Sequence, residues 1–298
     1  VDAGAHGNVV QMWEGVVAVV WELPQHLWRA GYHWFISLYG FLLVYVLCIG
    51  GGAIVRMQVC WHATSERVQV AEAFCFSQSR WRELLCAVCG PAMVVAVLAI
   101  VLVLMGLVLM NIPWLNIVGG LLYGVALVLG FGLAIIAVGY TACFPMLIPA
   151  VVVEKDNGSE AIQRVFYYVF SMAIRYIGYV FVLLVSLILG YVFVRLITTL
   201  TLDLTANLVG IGTFNDSMHG AGALRVETVP VVGLAWYESF AGYLIQLWET
   251  ILRDLMIGWV LSAFFSGSTM LYLLMRKTCD SQGMKNIGLC EANSSAEE

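Results

Sequence analysis

From Leu84 to Val153 the chain carries no charged residue. A run of that length without Asp, Glu, Lys or Arg cannot be a surface and is too long for one bilayer crossing, which takes roughly 20 apolar residues. It folds as two crossings joined by a turn, and "MNIPWLN" (Met110 to Asn116) supplies the turn. Pro113 lacks a backbone donor, and Asn111 and Asn116 accept turn geometry. Composition agrees: hydrophobic residues make up 61% and charged residues 11%, with mean hydropathy +0.90, where a soluble domain carries about 25% charged residues. The expected fold class is an all-α integral membrane protein of about five transmembrane helices plus interfacial amphipathic helices.

The remaining spans follow from the same criterion. Trp34 to Val55 is free of charge and of histidine. Tyr176 to Val194 lies between Arg175 and Arg195, and Leu255 to Met275 between Asp254 and Arg276. The expected organisation is an extracytoplasmic interfacial helix over residues 1–33 and a polytopic domain over 34–276, followed by a cytoplasmic tail over 277–298. Within the polytopic domain, an outer loop and a second interfacial helix occupy 200–254. The chain starts at Val1 without a basic segment ahead of an apolar run, so no ordinary secretory signal is read.

With five alternating spans, Arg56, Arg67, Arg80, Arg82, Lys155, Arg164, Arg175, Arg276, Lys277 and Lys285 fall on one side, ten of the fourteen basic residues. Arg29, Arg195, Arg225 and Arg253 fall on the other. Because Lys and Arg are retained in the cytoplasm, the N-terminus is expected outside and the C-terminus inside, in a cell inner membrane. The net charge of −5 and the scatter of the basic residues exclude the phosphate-neutralising stripe of a nucleic-acid binder.

Two helices are expected to lie in the cytoplasmic interface. In "SEAIQRVFYYVFSMAIRY" the residues Ile162, Val165, Phe166, Val169, Phe170 and Ala173 share one face, while Glu160, Gln163, Arg164 and Ser171 take the other. Ser159 is the expected N-cap, and Glu160 with Arg164 an i,i+4 pair. "SERVQVAEAFCFSQSRWREL" (Ser65 to Leu84) reads as a similar helix leading directly into the next span. Both contain Glu-Ala (Glu72-Ala73 and Glu160-Ala161), then aromatics, then arginines before re-entry. That pattern fits a parallel duplication and equally the shared needs of any re-entering interfacial helix.

The phrase "FPMLIPAVVVEKDNGSEAIQRVFYYVF" resembles a signature of bacterial multi-span membrane proteins, among them the membrane domains found alone or fused to glycerophosphodiester phosphodiesterases. The ending "MLYLLMRKTCD" (Met270 to Asp280) is similar to a span end and basic pair in the same group. The resemblance covers the middle and end of the chain and implies a polytopic helical domain. It implies no phosphodiesterase activity, because that catalytic domain is absent from this sequence.

On the outer side, "VVQMWEGVVAVVWELPQHLWR" places Trp13, Trp21 and Trp28 near helical spacing, and "LAWYESFAGYLIQLWETILRD" carries Trp236, Tyr243 and Trp248. Such aromatics sit at headgroup level or form docking faces for an extracytoplasmic partner. Between them "GIGTFNDSMHGAGALR", with Phe214 and His219, is a candidate contact loop, and Asn215-Asp216-Ser217 fits a glycosylation acceptor.

No predicted span core holds Asp, Glu, Lys, Arg or His, which argues against proton coupling. His6, His26, His33, His62 and His219 all fall at interfaces or in loops, which argues against an intramembrane haem. No nucleotide-binding, zinc-protease or nucleophile-elbow motif is present. The eight cysteines are Cys48, Cys60, Cys75, Cys86, Cys89, Cys143, Cys279 and Cys290. Cys86 and Cys89 have metal spacing, and Cys60 with His62 lies at the same boundary. The competing reading is small buried hydrophobes, and all eight fall in spans or on the reducing side, where disulfides are not expected. Gly50, Gly51, Gly52, Gly120, Gly124, Gly130 and Gly132 are read as close-packing positions; a glycine-lined substrate path is the alternative. The expectation is therefore a non-catalytic scaffold or accessory subunit with other membrane subunits as partners, no cofactor beyond a bound lipid, and no catalytic residue. The alternative is a transporter or lipid-handling protein.

Overall fold

The computed structural model describes residues 29, 31–64, 67–111, 115–154, 157–212 and 236–280. The predicted outer helix with Trp13, Trp21 and Trp28, the loop with Phe214, Asn215 and His219, and the tail from 281 onward lie outside the described residues. So does the centre of the predicted turn at Pro113.

Among the described residues there are seven helices and no strand: α1 His33–Thr64, α2 Val70–Ser79, α3 Trp81–Asn111, α4 Leu115–Glu154, α5 Gly158–Ser171, α6 Ala173–Gly212 and α7 Trp236–Asp280. Five of them are long and apolar enough to cross a membrane. The protein is an all-α, multi-pass membrane protein. Twice a span is followed by a short helix and, after a break of one residue, by a returning span. Arg80 makes the first break and Met172 the second. The helix expected to run unbroken from Ser65 into the span is thus interrupted at Arg80, whose N–H turns back to the Ser77 carbonyl.

Helices α3 and α4 form one hairpin, and α6 and α7 another. Helix α1 touches α3, α4 and α7 and so joins the hairpins. The buried side chains are gathered at one end: Val55 and Val59 of α1, Leu84 of α3, Met146 to Val153 of α4, Tyr176 of α6 and Leu271 to Met275 of α7. Toward the other end the same helices expose their apolar side chains, as a lipid-facing surface does.

The packed end is closed by α5. Its inward residues are Gly158, Ala161, Val165, Tyr168 and Val169, whereas Phe170 is exposed. The apolar face is therefore centred about one residue away from the stripe read in the sequence, and it packs under the spans as well as bordering lipid. The helix starts at Gly158 with Asn157 as N-cap, not at the expected Ser159, and Asn157 makes no side-chain capping bond. Packing explains the shift: a Cβ on Gly158 would come within 2.6 Å of the Glu83 carbonyl oxygen and 3.0 Å of the Cys86 Cβ on α3.

The glycines divide sharply. A Cβ on Gly51 would lie 2.6 Å from the Phe265 ring, and one on Gly52 2.9 Å from the Ser77 hydroxyl. Gly139 faces Phe166, Gly190 faces Trp259, and Gly267 faces Leu183. Gly50, Gly120, Gly124, Gly130 and Gly132 face open space within the protein, a correction to their reading as packing positions. Two inward hydroxyls tie helices across the bundle: Tyr140 donates to the Val88 carbonyl at 2.7 Å, and Tyr176 to the Ala142 carbonyl. The second bond falls in the α4 turn that Pro145 loosens, where added donors are favourable in lipid.

Candidate functional site: a buried ion cluster and an apolar arm

Glu154 ends the charge-free run, and the structure turns it into a hub. One carboxylate oxygen lies 3.0 Å from the Arg276 Nε of α7, and the other 2.6 Å from the Arg164 Nη1 of α5. Tyr272 donates its hydroxyl to Glu154 Oε1 at 2.9 Å. The side chains of Glu154 and Arg276 are each 9% exposed, while that of Arg164 is 37% exposed. Beside them Tyr168 donates to the Asp280 carboxylate, with its ring 6.0 Å from that of Tyr272. Burial, followed by the bond to Asp280, holds the Tyr168 phenol well above its usual range, so it stays a proton donor.

The cluster holds two cations and two anions, and it fastens the ends of α4, α5 and α7 together. Arg164, expected to pair with Glu160 one turn away, reaches Glu154 instead, because the inward position of α5 brings it beside the end of α4. Two arginines flank one carboxylate, and a tyrosine fills a remaining lone pair, so the buried carboxylate is both paired and hydrogen-bonded, as a buried charge must be. The arrangement is chemically quiet. Removing one hydroxyl should be mild: Tyr272→Phe keeps the ring and loses one bond to a charged acceptor, lowering stability by about 1.5–3 kcal/mol. A thermal melt of the purified protein checks it.

The second feature lies at the opposite end. Helix α6 is 40 residues long and α7 is 45, or about 60 Å and about 67 Å at 1.5 Å per residue. From Arg175 to Arg195, α6 rises about 30 Å, the thickness of the hydrocarbon layer. Each helix continues about 25 Å beyond Arg195 or Asp254, forming a two-helix arm. The sequence separates an interfacial helix over 234–254 from the span after it; in the structure both belong to the single helix α7. No proline interrupts Trp236–Asp280, and the Glu249–Arg253 pair at 2.8 Å supports its outer turns.

The arm turns its apolar residues outward. On α7, Trp236, Phe240, Tyr243, Leu247, Trp248 and Ile251 recur at three-and-four spacing and are exposed, Trp236 by 82% and Trp248 by 67%. On α6, Leu196, Leu200, Leu204 and Leu208 form a parallel exposed row. On the arm Thr198 of α6 is buried and Glu249 of α7 half-buried. Of the residues expected to contact partners, Trp236 and Trp248 thus share one exposed face, while Trp13, Trp21, Trp28, Phe214 and His219 lie outside the described residues.

The metal candidates are placed as follows. Cys60 is buried on α1, and His62, two residues on, is half-buried. Cys86 is exposed beside the start of α5, and Cys89 is half-buried. Among the described residues no three His, Cys, Asp or Glu side chains gather in a way that could hold a metal ion. A groove of about 400 Å³ runs between α4 and the α5–α6 junction, lined by Val138, Gly139, Phe170, Tyr176 and Ile177.

Sequence reasoning missed the Glu154 hub. Arg276 and Tyr272 lie more than a hundred residues away, Arg164 had a nearer candidate partner in Glu160, and the one local signal was a glutamate standing alone at the end of an apolar run. Comparison with family models, with curated proteins and with solved structures finds no match to this chain.

Proposed function

We propose that the protein is a non-catalytic integral membrane scaffold or accessory subunit, fastened at its cytoplasmic end by the Glu154 cluster and presenting the α6/α7 arm to a partner subunit outside. The observation that carries the reading is the arm. It extends past Arg195 and Asp254, the charges that bracket the spans in the sequence, and its wide apolar stripe faces outward. Exposed apolar patches of this kind mark protein interaction surfaces, and clustered Trp, Tyr and Phe are the residues that dominate binding energy at interfaces. The bias of Lys and Arg supports a cytoplasmic position for the ion cluster and an outer position for the arm. The resemblance to bacterial multi-span membrane domains supports an inner-membrane location without supplying an activity.

A second reading, lipid handling, is favoured by the groove between α4 and the α5–α6 junction, whose apolar lining suits an acyl chain. One experiment separates the two. The tagged chain is extracted from its native membrane in gentle detergent, and co-eluting proteins are quantified beside a W236Q/Y243Q/W248Q variant. The subunit reading expects a protein recovered at fixed ratio with the wild type and reduced at least about tenfold with the variant, the loss of a few aromatic anchors at 1–2 kcal/mol each. Elution of the wild type with lipid alone overturns it in favour of lipid handling.

A further inference from the structure

At the corner of α1 and α2 two arginines, Arg56 and Arg80, make no ion pair among the described residues. Arg56 directly follows the charge-free stretch of α1, and its guanidinium lies 4.0 Å from the centre of the Phe76 ring on α2. Arg80, at the break between α2 and α3, comes within 5.9 Å of the same ring centre. Nε and Nη1 of Arg56, Nη1 of Arg80 and Oγ of Ser77 are buried without a hydrogen-bond partner among the described residues. The ion pairs of the packed end form around Glu154 and leave both arginines out.

A ring face attracts a cation but accepts no set of N–H bonds, so it accounts for only part of this arrangement. Two like charges sharing one ring, with guanidinium donors withheld from water, is an unfavourable state for the protein alone. An anion with several acceptor oxygens resolves it, and the guanidinium fork matches the oxygens of a phosphate. The depth of the corner agrees. Arg56 sits where the apolar part of α1 ends, and the nearby Trp61 and Trp81 are exposed aromatics of the kind found at headgroup level.

We propose that Arg56 and Arg80, gathered on Phe76, form a phosphate-binding site, filled by the phosphate of an anionic phospholipid headgroup or by free phosphate. The corner opens slightly to admit the ligand, whose oxygens take the unpaired guanidinium donors. The site is independent of whether the arm has a partner.

The test uses the full chain in two arms. In nanodiscs of phosphatidylcholine containing phosphatidylglycerol, phosphatidylglycerol retained after extraction is measured by native mass spectrometry. In delipidated detergent solution, the rise in melting temperature on adding inorganic phosphate is measured. The wild type should retain about tenfold more phosphatidylglycerol than R56Q/R80Q, the ratio that corresponds to one charge-assisted contact of about 1.4 kcal/mol. R67Q, which removes the guanidinium stacked on Trp61 at 5.4 Å, should retain as much as the wild type. A phosphate-dependent rise that R56Q/R80Q lacks, with no preference among lipids, assigns the site to the free anion. Equal phosphatidylglycerol retention and equal phosphate response in wild type and R56Q/R80Q overturn the proposal. Should the double variant fail to fold, R80Q alone carries the test, and retention equal to wild type overturns the proposal there as well.

Discussion

Glu154→Gln should be among the most damaging single substitutions in this protein, lowering its stability by about 3–5 kcal/mol, the cost of stranding one partner of a buried ion pair. The amide is nearly the shape of the carboxylate, so packing is kept and the charge alone is lost. Arg276, whose side chain is 9% exposed, would keep its cation in a poorly solvated place with its principal anion gone. Arg164 would suffer less because its side chain is 37% exposed and can turn to water, which makes it the weaker of the two links. A double variant tests the cause. E154Q/R276M removes both charges and substitutes an apolar side chain of similar reach, and it should recover most of the loss, as paired replacement of buried ions commonly does. Melting curves of the three proteins in one detergent decide it. If E154Q melts within a degree or two of the wild type, the cluster is not what fastens α4, α5 and α7.

The contrast between this cluster and the spans shows what was legible in the sequence and why. Whether Trp34 to Val55 or Tyr176 to Val194 can cross a bilayer depends on the residues inside the run alone, so the spans could be read directly. The same holds for the short amphipathic helices α2 and α5, whose existence rests on local periodicity. Which face of each helix meets protein is a different matter. Lipid tails and leucine side chains are equally apolar, so an inward face and a lipid face read alike. Gly124 and Gly139 are both glycines in the apolar stretch of α4, yet the second packs under Phe166 and the first faces open space. The hub at Glu154 was hidden because its partners come from α5 and α7. Arg164 had a nearer candidate partner in Glu160, and local spacing favours the nearer one. The arm was half legible: the aromatic spacing of Trp236, Tyr243 and Trp248 was visible, but its continuity with the span was not. Asp254 marks the end of an apolar run without ending a helix.

Gly158→Ala tests how α5 is held, and a single methyl group should cost about 1–3 kcal/mol, the usual range for overpacking. The added Cβ would meet the Glu83 carbonyl oxygen at 2.6 Å, the Cys86 Cβ at 3.0 Å and the Ala87 nitrogen at 3.2 Å. Two of these are backbone atoms of α3, which cannot swing aside as a side chain could, so the start of α5 must move away. Helix propensity works the other way, since alanine is better than glycine inside a helix by about 1 kcal/mol, and Gly124→Ala provides the reference. At Gly124 no atom lies within 4 Å of the added methyl, so that substitution should be neutral or slightly stabilising. The two variants share the same chemistry and should differ in sign. The displacement should also reach the ion cluster, because α5 carries Arg164 and Tyr168 to Glu154 and Asp280. G158A and E154Q should therefore combine to less than the sum of their separate effects, as mutations acting on one coupled network do. G158A and G124A melting alike would show that α5 is not held against α3 at this contact, and strict additivity of G158A with E154Q would show that the contact and the cluster act separately.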